Sequence, residues 1–158
     1  MDTFQFLNEY REDNRIEAKK ALGGLPLSIW ETYSAFANTL GGVILLGVIE
    51  QPDKSLRSVP LFNPQELVDE FWDMVNDPTV VSANILSSED VQTYRSGGNE
   101  IVVIFVPRAN FRQRPVFIGS DPYRGSYYRC GEGDCRFSRR EVEAMLQDQN
   151  DPAPLSGM

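Results

Sequence analysis

The sequence predicts a single α/β (α+β) domain in which a mixed β-sheet of about five to six strands packs with three to four helices. Apolar residues recur at helical spacing up to Gly41-Gly42, and a strand that is apolar at nearly every position, residues 43–49, follows directly. A second apolar strand covers residues 101–106. The length of 158 residues and the 41% hydrophobic content suit one domain with its own core.

The first third of the chain is predicted to contain two helices and two strands. Helical spacing predicts an amphipathic helix over residues 3–12, and an alternating pattern predicts a half-buried strand over residues 15–19. The second helix runs from Ile29 to Leu40 and ends at Gly41-Gly42, because glycine accepts the left-handed conformation of a helix C-cap. The apolar strand at residues 43–49 is expected in the middle of the sheet.

The middle of the chain alternates a helix with strands. Asn63 and Pro64 are suited to an N-cap and a first-turn position, so a helix is predicted from here to Asn76. The other predicted elements are strands at residues 56–59, 80–86, 91–94 and 100–106. A Gly-Gly turn at residues 96–99 is predicted to pair the strands at 80–86 and 91–94 with the strand at 100–106.

The last third begins with a polar segment after Pro107. Short strands are predicted at residues 115–118 and 126–129, and Ser138 with Glu141 forms a capping box that begins a final helix. Residues 148–158 have the composition of a linker or frayed tail, which leaves residues 1–147 as the folded domain.

Positive charge is concentrated in one part of an acidic chain. The net charge of −8 argues against a polyanionic partner, but residues 108–140 carry eight arginines against three acids. Arginine binds phosphate with a planar fork and stacks on bases, so this region favours nucleic acid as a partner. The alternative is that these arginines are solvated and pair with the acidic remainder of the chain.

The segment from Arg108 to Arg114 interleaves arginines with Asn110, Phe111 and Gln113, a composition that provides phosphate contacts and a stacking ring. The predicted nucleic-acid-binding residues are Arg108, Arg112, Arg114, Arg124, Tyr128 and Arg129. In the alternative interpretation, Tyr128 or its neighbour faces the core and Phe111 fixes the segment to the fold.

The sequence predicts a cytoplasmic protein with no membrane partner, because no apolar run approaches about 20 residues and no secretion signal is present at the N-terminus. Cys130 and Cys135 could close a hairpin or provide half of a metal site. Zinc would need two more ligands in a chain without histidine, so a reduced pair is the favoured interpretation.

An ordered series of short motifs resembles the schlafen AlbA-like domain. The series comprises Glu12, Glu17-Ala-Lys19, Ser34-Ala-Phe-Ala-Asn38, Gly41-Gly42, Gly47-Val48 and Glu50, and it continues through residues 101–107, 114–116, 128–131 and 138–141. The resemblance spans roughly residues 9–145. It implies a mixed sheet backed by helices and a DNA- or RNA-binding role. In bacteria, such domains commonly stand at the N-terminus of proteins that resemble transcriptional regulators.

The resemblance also implies a second activity. In eukaryotic schlafens, the same domain looks like a ribonuclease of tRNA and rRNA with three acids around a divalent cation. Carried over by position, Glu12, Glu17 and Glu50 would be the catalytic and metal-binding acids, and Lys19 would neutralise charge on phosphate. The chain departs from the family pattern at Ile49, where aspartate commonly follows Gly-Val, and at Leu40, where a polar residue often precedes Gly-Gly. The alternative for the acids is an ordinary charged strand face.

The favoured function is therefore that of a nucleic-acid-binding domain of the DNA-binding type in a bacterial protein that resembles transcriptional regulators, and the sequence leaves open whether the partner is DNA or RNA. No cofactor is expected, and Mg²⁺ or Mn²⁺ would be needed only by the alternative, a divalent-metal ribonuclease. A third hypothesis is a protein-interaction or oligomerisation module, which the net charge favours. A homodimer is expected because bacterial regulators usually act on paired half-sites.

Overall fold

The structure is a computed structural model that describes residues 4–151. The helices are α1 (Asn8–Glu12), α2 (Ile29–Asn38), α3 (Pro64–Val75), α4 (Pro122–Gly125) and α5 (Arg139–Gln149). The strands are β1 (Ile16–Lys19), β2 (Gly42–Leu46), β3 (Val48–Glu50), β4 (Leu56–Ser58), β5 (Val91–Ser96), β6 (Asn99–Val106), β7 (Tyr127–Cys130) and β8 (Gly133–Arg136). Short 3₁₀ turns at Gln5–Leu7 and Ser88–Asp90 precede α1 and β5.

The main sheet has four strands in the order β1-β2-β6-β5. Strand β2 is parallel to β1 and antiparallel to β6, and β5 and β6 form the expected hairpin. The other four strands form two separate ladders, β3 with β4 and β7 with β8. The predicted α+β fold with a mixed sheet is confirmed, with its strands divided among three sheets.

Apolar side chains cover both faces of β2, which is buried at all five positions. On one face, Ile44 and Leu46 join a core that includes Phe36 of α2 and Phe71 of α3. On the other face, Val43 and Leu45 pack with the N-terminal segment and β3. A strand buried on both faces needs the continuous apolar run seen in the sequence, so its central placement is confirmed.

The prediction of a single strand over residues 43–49 is wrong, because the chain bends at Gly47. This residue has φ +85°, a left-handed conformation that favours glycine, and a Cβ atom there would lie 2.7 Å from the Leu61 side chain. Beyond the bend, β3 leaves the main sheet and pairs with β4. The bend therefore sets the position of Glu50, the last residue of β3.

Two other predicted strands, residues 80–86 and 115–118, are also wrong. They form only isolated bridges, Val81 with Ile118 and Phe117 with Ser126. The first segment is held by α2 instead, since the Tyr33 hydroxyl donates to the Ala83 carbonyl (2.9 Å) and accepts from the Ile85 amide (3.0 Å). The Tyr33 side chain thus satisfies the hydrogen bonds of the Ala83 carbonyl and the Ile85 amide, which a neighbouring strand would otherwise provide.

The C-terminal helix begins as predicted. The Ser138 hydroxyl accepts from the Glu141 amide (3.2 Å), and the Glu141 carboxylate accepts from the Ser138 amide (2.9 Å). Helix α5 continues to Gln149, two residues past the predicted boundary at residue 147. The rest of the predicted tail, residues 152–158, lies outside the described residues.

Candidate nucleic-acid interface and charged cleft

The C-terminal half of α2 carries buried polar side chains that position two other segments. The Asn38 amide donates to the Val116 carbonyl (2.9 Å) and the Tyr127 carbonyl (3.0 Å) and accepts from the Val116 amide (2.8 Å). The Ser34 hydroxyl donates to the Val116 carbonyl (2.7 Å) and accepts from the Tyr127 amide (3.0 Å). The Ser34-Ala-Phe-Ala-Asn38 motif thus joins α2 to the segment at Val116 and to β7.

The segment just before Val116, residues 108–114, is called here the arginine arm. Its start is fixed because the Ala109 amide donates to the Ala37 carbonyl (2.8 Å) and the Ala109 side chain is buried. Within it, the Asn110 carboxamide oxygen accepts from the amides of Arg112 (2.9 Å) and Gln113 (3.2 Å). Both ends of the arm are therefore held by α2, and its backbone is ordered before any ligand binds.

The arm and α5 border a pocket of about 210 Å³, called here the arginine notch. Its lining consists of two arginines, three apolar side chains and two further polar residues: Arg108, Arg114, Phe111, Phe137, Met145, Asn38 and Asp148. The structure therefore brings together Arg108 and Arg114, which the sequence predicted as nucleic-acid-binding residues. The third arginine of the arm, Arg112, places its guanidinium carbon 4.7 Å from the centre of the Phe111 ring.

The three arginines of the arm lack carboxylate partners. Among residues 4–151, no Asp or Glu oxygen lies within 4.0 Å of the guanidinium nitrogens of Arg108, Arg112 or Arg114. Burial lowers the pKa of Arg114, the positive charge of Arg108 lowers it further, and the carboxylate of Asp148 opposes both effects. An anion placed between the two arginines would relieve their repulsion.

Arg124 and Tyr128 lie outside the arm. The Arg124 side chain is 86% exposed on α4 and approaches Asp121 at 3.8 Å. Tyr128 is half-buried on β7 and packs its ring 4.9 Å from that of Phe137, which lines the notch. Tyr128 therefore supports one wall of the notch.

Arg129 occupies an interior position, which argues against direct contact with nucleic acid. Its side chain is 5% exposed, and one terminal nitrogen (Nη1) lies 3.0 Å from both Glu17 Oε1 and Asp134 Oδ1. The remaining nitrogens donate to the carbonyls of Asn14 (2.8 Å) and Ile16 (3.0 Å). Since every guanidinium nitrogen has a partner within the protein, Arg129 joins β7 to β1 rather than presenting charge to solvent.

A second pocket, of about 530 Å³, lies beside β1 and is called here the charged cleft. It is lined by charged, polar and apolar residues from five segments: Arg11, Asn14, Ile16, Glu17, Ala18, Glu50, Lys54, Leu56, Arg129 and Glu132. Glu17 and Glu50, two of the three predicted catalytic acids, line the same cleft. The third, Glu12, does not line it, and its neighbour Arg11 does.

The carboxylates of the cleft are paired with cations of the protein. Glu17 contacts Arg129 at 3.0 Å and Lys19 at 3.7 Å, and Glu50 contacts Lys54 at 3.3 Å. Lys54 also contacts Glu132 at 3.2 Å, and hydrogen bonding to Glu132, then to Glu50, raises the pKa of Lys54. Within residues 4–151, no group of three or more His, Cys, Asp or Glu residues is arranged to hold a metal ion. The metal set of Glu12, Glu17 and Glu50 therefore does not fit this arrangement.

The two cysteines form a disulfide across the β7–β8 hairpin, so the prediction of a reduced pair is wrong. In the ladder, Cys135 lies opposite Tyr128, which places it on the same face as Cys130, and the two Cα atoms are 5.9 Å apart. Arg129 and Asp134 are paired on the other face of the hairpin. The disulfide thus closes the hairpin that carries Arg129, Glu132 and Asp134.

In the described part of the chain, no helix combines the length and apolar character needed to span a membrane.

Comparisons with known proteins agree with this fold. The family described as Schlafen, AlbA_2 matches residues 12–138. The solution NMR structure of the N-terminal domain of a DNA helicase RecG-related protein from Nitrosomonas europaea is 25% identical, with a TM-score of 0.59 over 88% of this chain and 96% of that chain.

The crystal structure of the DIP2311 protein from Corynebacterium diphtheriae is 19% identical and similar in fold. Its TM-score is 0.56 over 89% of this chain and 25% of that chain. The comparison with curated proteins found no match. The family match covers most of the sequence and confirms the resemblance found in its motifs: the chain belongs to the schlafen AlbA_2 family.

Proposed function

We propose that this chain is a nucleic-acid-binding domain of a bacterial protein of the transcriptional-regulator type, and that it binds DNA through the arginine arm. The observation that carries the proposal is that, within residues 4–151, the three arginines of one short segment, Arg108, Arg112 and Arg114, have no carboxylate partner in a chain of net charge −8. Elsewhere in the described chain, Lys54 and Arg129 are paired with carboxylates, and Arg57 and Arg95, which are not, lie on two different strands, β4 and β5. Charge left unpaired on an ordered turn favours an anionic partner.

The comparisons support a nucleic-acid-related role in general. The RecG-related protein is named for a DNA helicase, and its N-terminal domain is the part that matches this chain. Two further cations lie in the same region of the chain: Arg124 on α4, and Arg139 of α5, which stacks over Tyr123 at 4.1 Å. Each approaches a carboxylate, Asp121 at 3.8 Å and Glu143 at 3.6 Å, but such exposed pairs are weak, so a phosphate can compete for these arginines. In the proposed cytoplasmic regulator, a homodimer would place two arms on one nucleic-acid molecule.

A titration at two salt concentrations tests the proposal. Fluorescence anisotropy with labelled DNA and RNA oligonucleotides should show binding that weakens with salt. Replacing Arg112 and Arg114 together by Ala should lower affinity at least tenfold and reduce the log–log salt slope by about two, since each phosphate contact contributes about 0.9. In the matched control variant, Ala replaces Arg57 and Arg95, two exposed arginines on β4 and β5. This variant should have the same affinity and salt slope as the wild type. Equal affinity of the test and control variants would contradict the proposal.

A second candidate is the divalent-metal ribonuclease. The observation in its favour is that Glu17 and Glu50 line one cleft with Lys19 close to Glu17. Because Arg129 and Lys54 hold these acids, a metal ion would have to displace one of those cations. The test is Mn²⁺-dependent cleavage of tRNA. If Glu17→Gln abolishes cleavage and replacement of the exposed Glu12 by Gln does not, the result would favour a ribonuclease that uses Glu17 and Glu50 without Glu12. Absence of both cleavage and binding would favour the interaction module.

A further inference from the structure

We infer that the arginine notch binds one unstacked nucleotide, so that the domain binds single-stranded nucleic acid in preference to the duplex. The inference rests on the proposed function and adds the form of polymer that the arm recognises. The notch, at about 210 Å³, is smaller than the pockets of about 300 Å³ or more that hold drug-sized ligands. A single base fits this scale better than a larger group.

The walls of the notch are suited to stacking. Phe111 from the arm and Phe137 from the segment before α5 both line it, with Met145 of α5. Each ring is half-buried and held by another side chain, Phe111 by Arg112 at 4.7 Å and Phe137 by Tyr128 at 4.9 Å. A base that enters therefore meets rings that are half-buried and already in contact with the protein, which lowers the entropic cost of stacking.

The polar lining is suited to one phosphate. Arg108 and Arg114 line the notch without a carboxylate within 4.0 Å in the described chain, and they repel each other. Asp148 is the acid in the lining, and its charge disfavours a second phosphate. The Asn38 amide is already bonded to Val116 and Tyr127, so it forms part of the lining without offering a free donor.

This combination distinguishes single strands from duplexes. In a duplex, every base is paired and stacked, and moving one into a pocket costs pairing and stacking energy. In a single strand, the bases already expose their faces, and stacking on aromatic rings tolerates any sequence. The notch should therefore contribute to binding of the single strand and little to binding of the duplex, for which the arm supplies phosphate contacts alone.

The test measures affinity for a labelled single-stranded 12-mer and for the duplex of the same sequence, by anisotropy at one salt concentration. The wild type should bind the single strand at least tenfold more tightly. Phe111→Leu keeps an apolar side chain but removes the ring, so it should lower single-strand affinity about tenfold, the size expected from loss of one stack, and change duplex affinity less than twofold. Phe111→Tyr should retain the preference. Phe62→Ala is the control, because Phe62 is 96% exposed and lies outside the notch.

The outcomes separate this inference from the proposed function. Equal affinity for the two forms, or an equal loss for both in Phe111→Leu, would overturn the notch inference and leave a phosphate-binding arm in place. No binding of either form by the wild type would overturn both. A retained preference in Phe111→Leu would show that the ring does not stack on a base and would likewise overturn the inference.

Discussion

Replacing Arg129 with Ala should strongly destabilise the fold. The guanidinium lies between Glu17 and Asp134 at 3.0 Å from each and is almost wholly buried. The substitution leaves these two carboxylates facing each other without their shared cation. It also removes the guanidinium from above the Phe36 ring, 4.9 Å from the ring centre. Loss of one partner from a buried ion pair costs about 3 to 5 kcal/mol in the free energy of unfolding.

The expected loss lies near the lower end of this range. Glu17 is 25% exposed and Asp134 is 15% exposed, so water can solvate part of the charge that remains. The Thr32 hydroxyl still donates to Asp134 at 2.7 Å. Against this, the carbonyls of Asn14 and Ile16 lose their donors. We expect a loss of about 3 kcal/mol.

Equilibrium urea unfolding followed by circular dichroism measures this loss. Arg124→Ala is the matched control, because its side chain is 86% exposed and its contact with Asp121 is 3.8 Å; it should change the free energy of unfolding by less than about 0.5 kcal/mol. A double-mutant cycle of Arg129→Ala with Asp134→Asn should give a coupling of about 1 to 3 kcal/mol. A loss below about 1 kcal/mol, or no coupling, would refute the assignment of Arg129 as a buried structural cation.

Three further predictions follow from the contacts around α2 and the notch. Asn38→Ala leaves the Val116 amide and the Tyr127 carbonyl without this partner. The free energy of unfolding, measured in urea, should therefore fall by about 2 to 4 kcal/mol. The exposed control Asn150→Ala should change it by less than about 1 kcal/mol. Burial raises the pKa of Tyr33 to about 12 from 10.0, so its contribution to stability is complete below pH 10 and is lost as the pH rises through about 12. Between these pH values, the free energy of unfolding of the wild type should fall by about 2 to 3 kcal/mol more than that of Tyr33→Phe, and parallel curves would contradict the assignment. Asp148→Asn removes the acid that lines the notch, so oligonucleotide affinity measured by anisotropy should rise severalfold. The control Asp73→Asn, on the exposed face of α3, should leave the affinity unchanged. A lower affinity in Asp148→Asn would show that this carboxylate binds the ligand.

The elements that the sequence predicts well are those in which local pattern and burial agree. The apolar run of β2, the helical spacing of α2 and the capping box at Ser138 each depend on neighbours a few residues away. The sequence does not reveal the bend at Gly47, because a glycine also fits within an apolar strand and because neither its positive φ nor its close approach to Leu61 leaves a local signal. The apolar residues at positions 80–86 predict a strand, but the hydroxyl of Tyr33, about 50 positions away, bonds the backbone of this segment instead.

In the candidate site too, the sequence predicts what depends on local composition and misses contacts between distant residues. The arm was predicted from its composition, and the structure adds that α2 holds both of its ends. Arg129 was grouped with the arm because its charge alone is visible in the sequence. Its partner Glu17 is 112 positions away, and no local signal indicates that pairing. Asp134 could have been found, because a two-residue turn at Gly131-Glu132 pairs Cys130 with Gly133 and so places Asp134 directly opposite Arg129.

The contacts of Arg129 also determine what can happen at one edge of the main sheet. Strand β1 is an edge strand, and the carbonyl of Ile16, which a further strand would use for pairing, accepts a hydrogen bond from the Arg129 guanidinium instead. Exposed strand edges invite pairing with other chains, and natural proteins block them with charged side chains or covering segments. A second copy of this chain could add a strand at this edge only by displacing a buried cation, which would leave Glu17 and Asp134 without the cation that they share. Arg129 therefore protects the β1 edge of the main sheet against pairing with a strand of another chain.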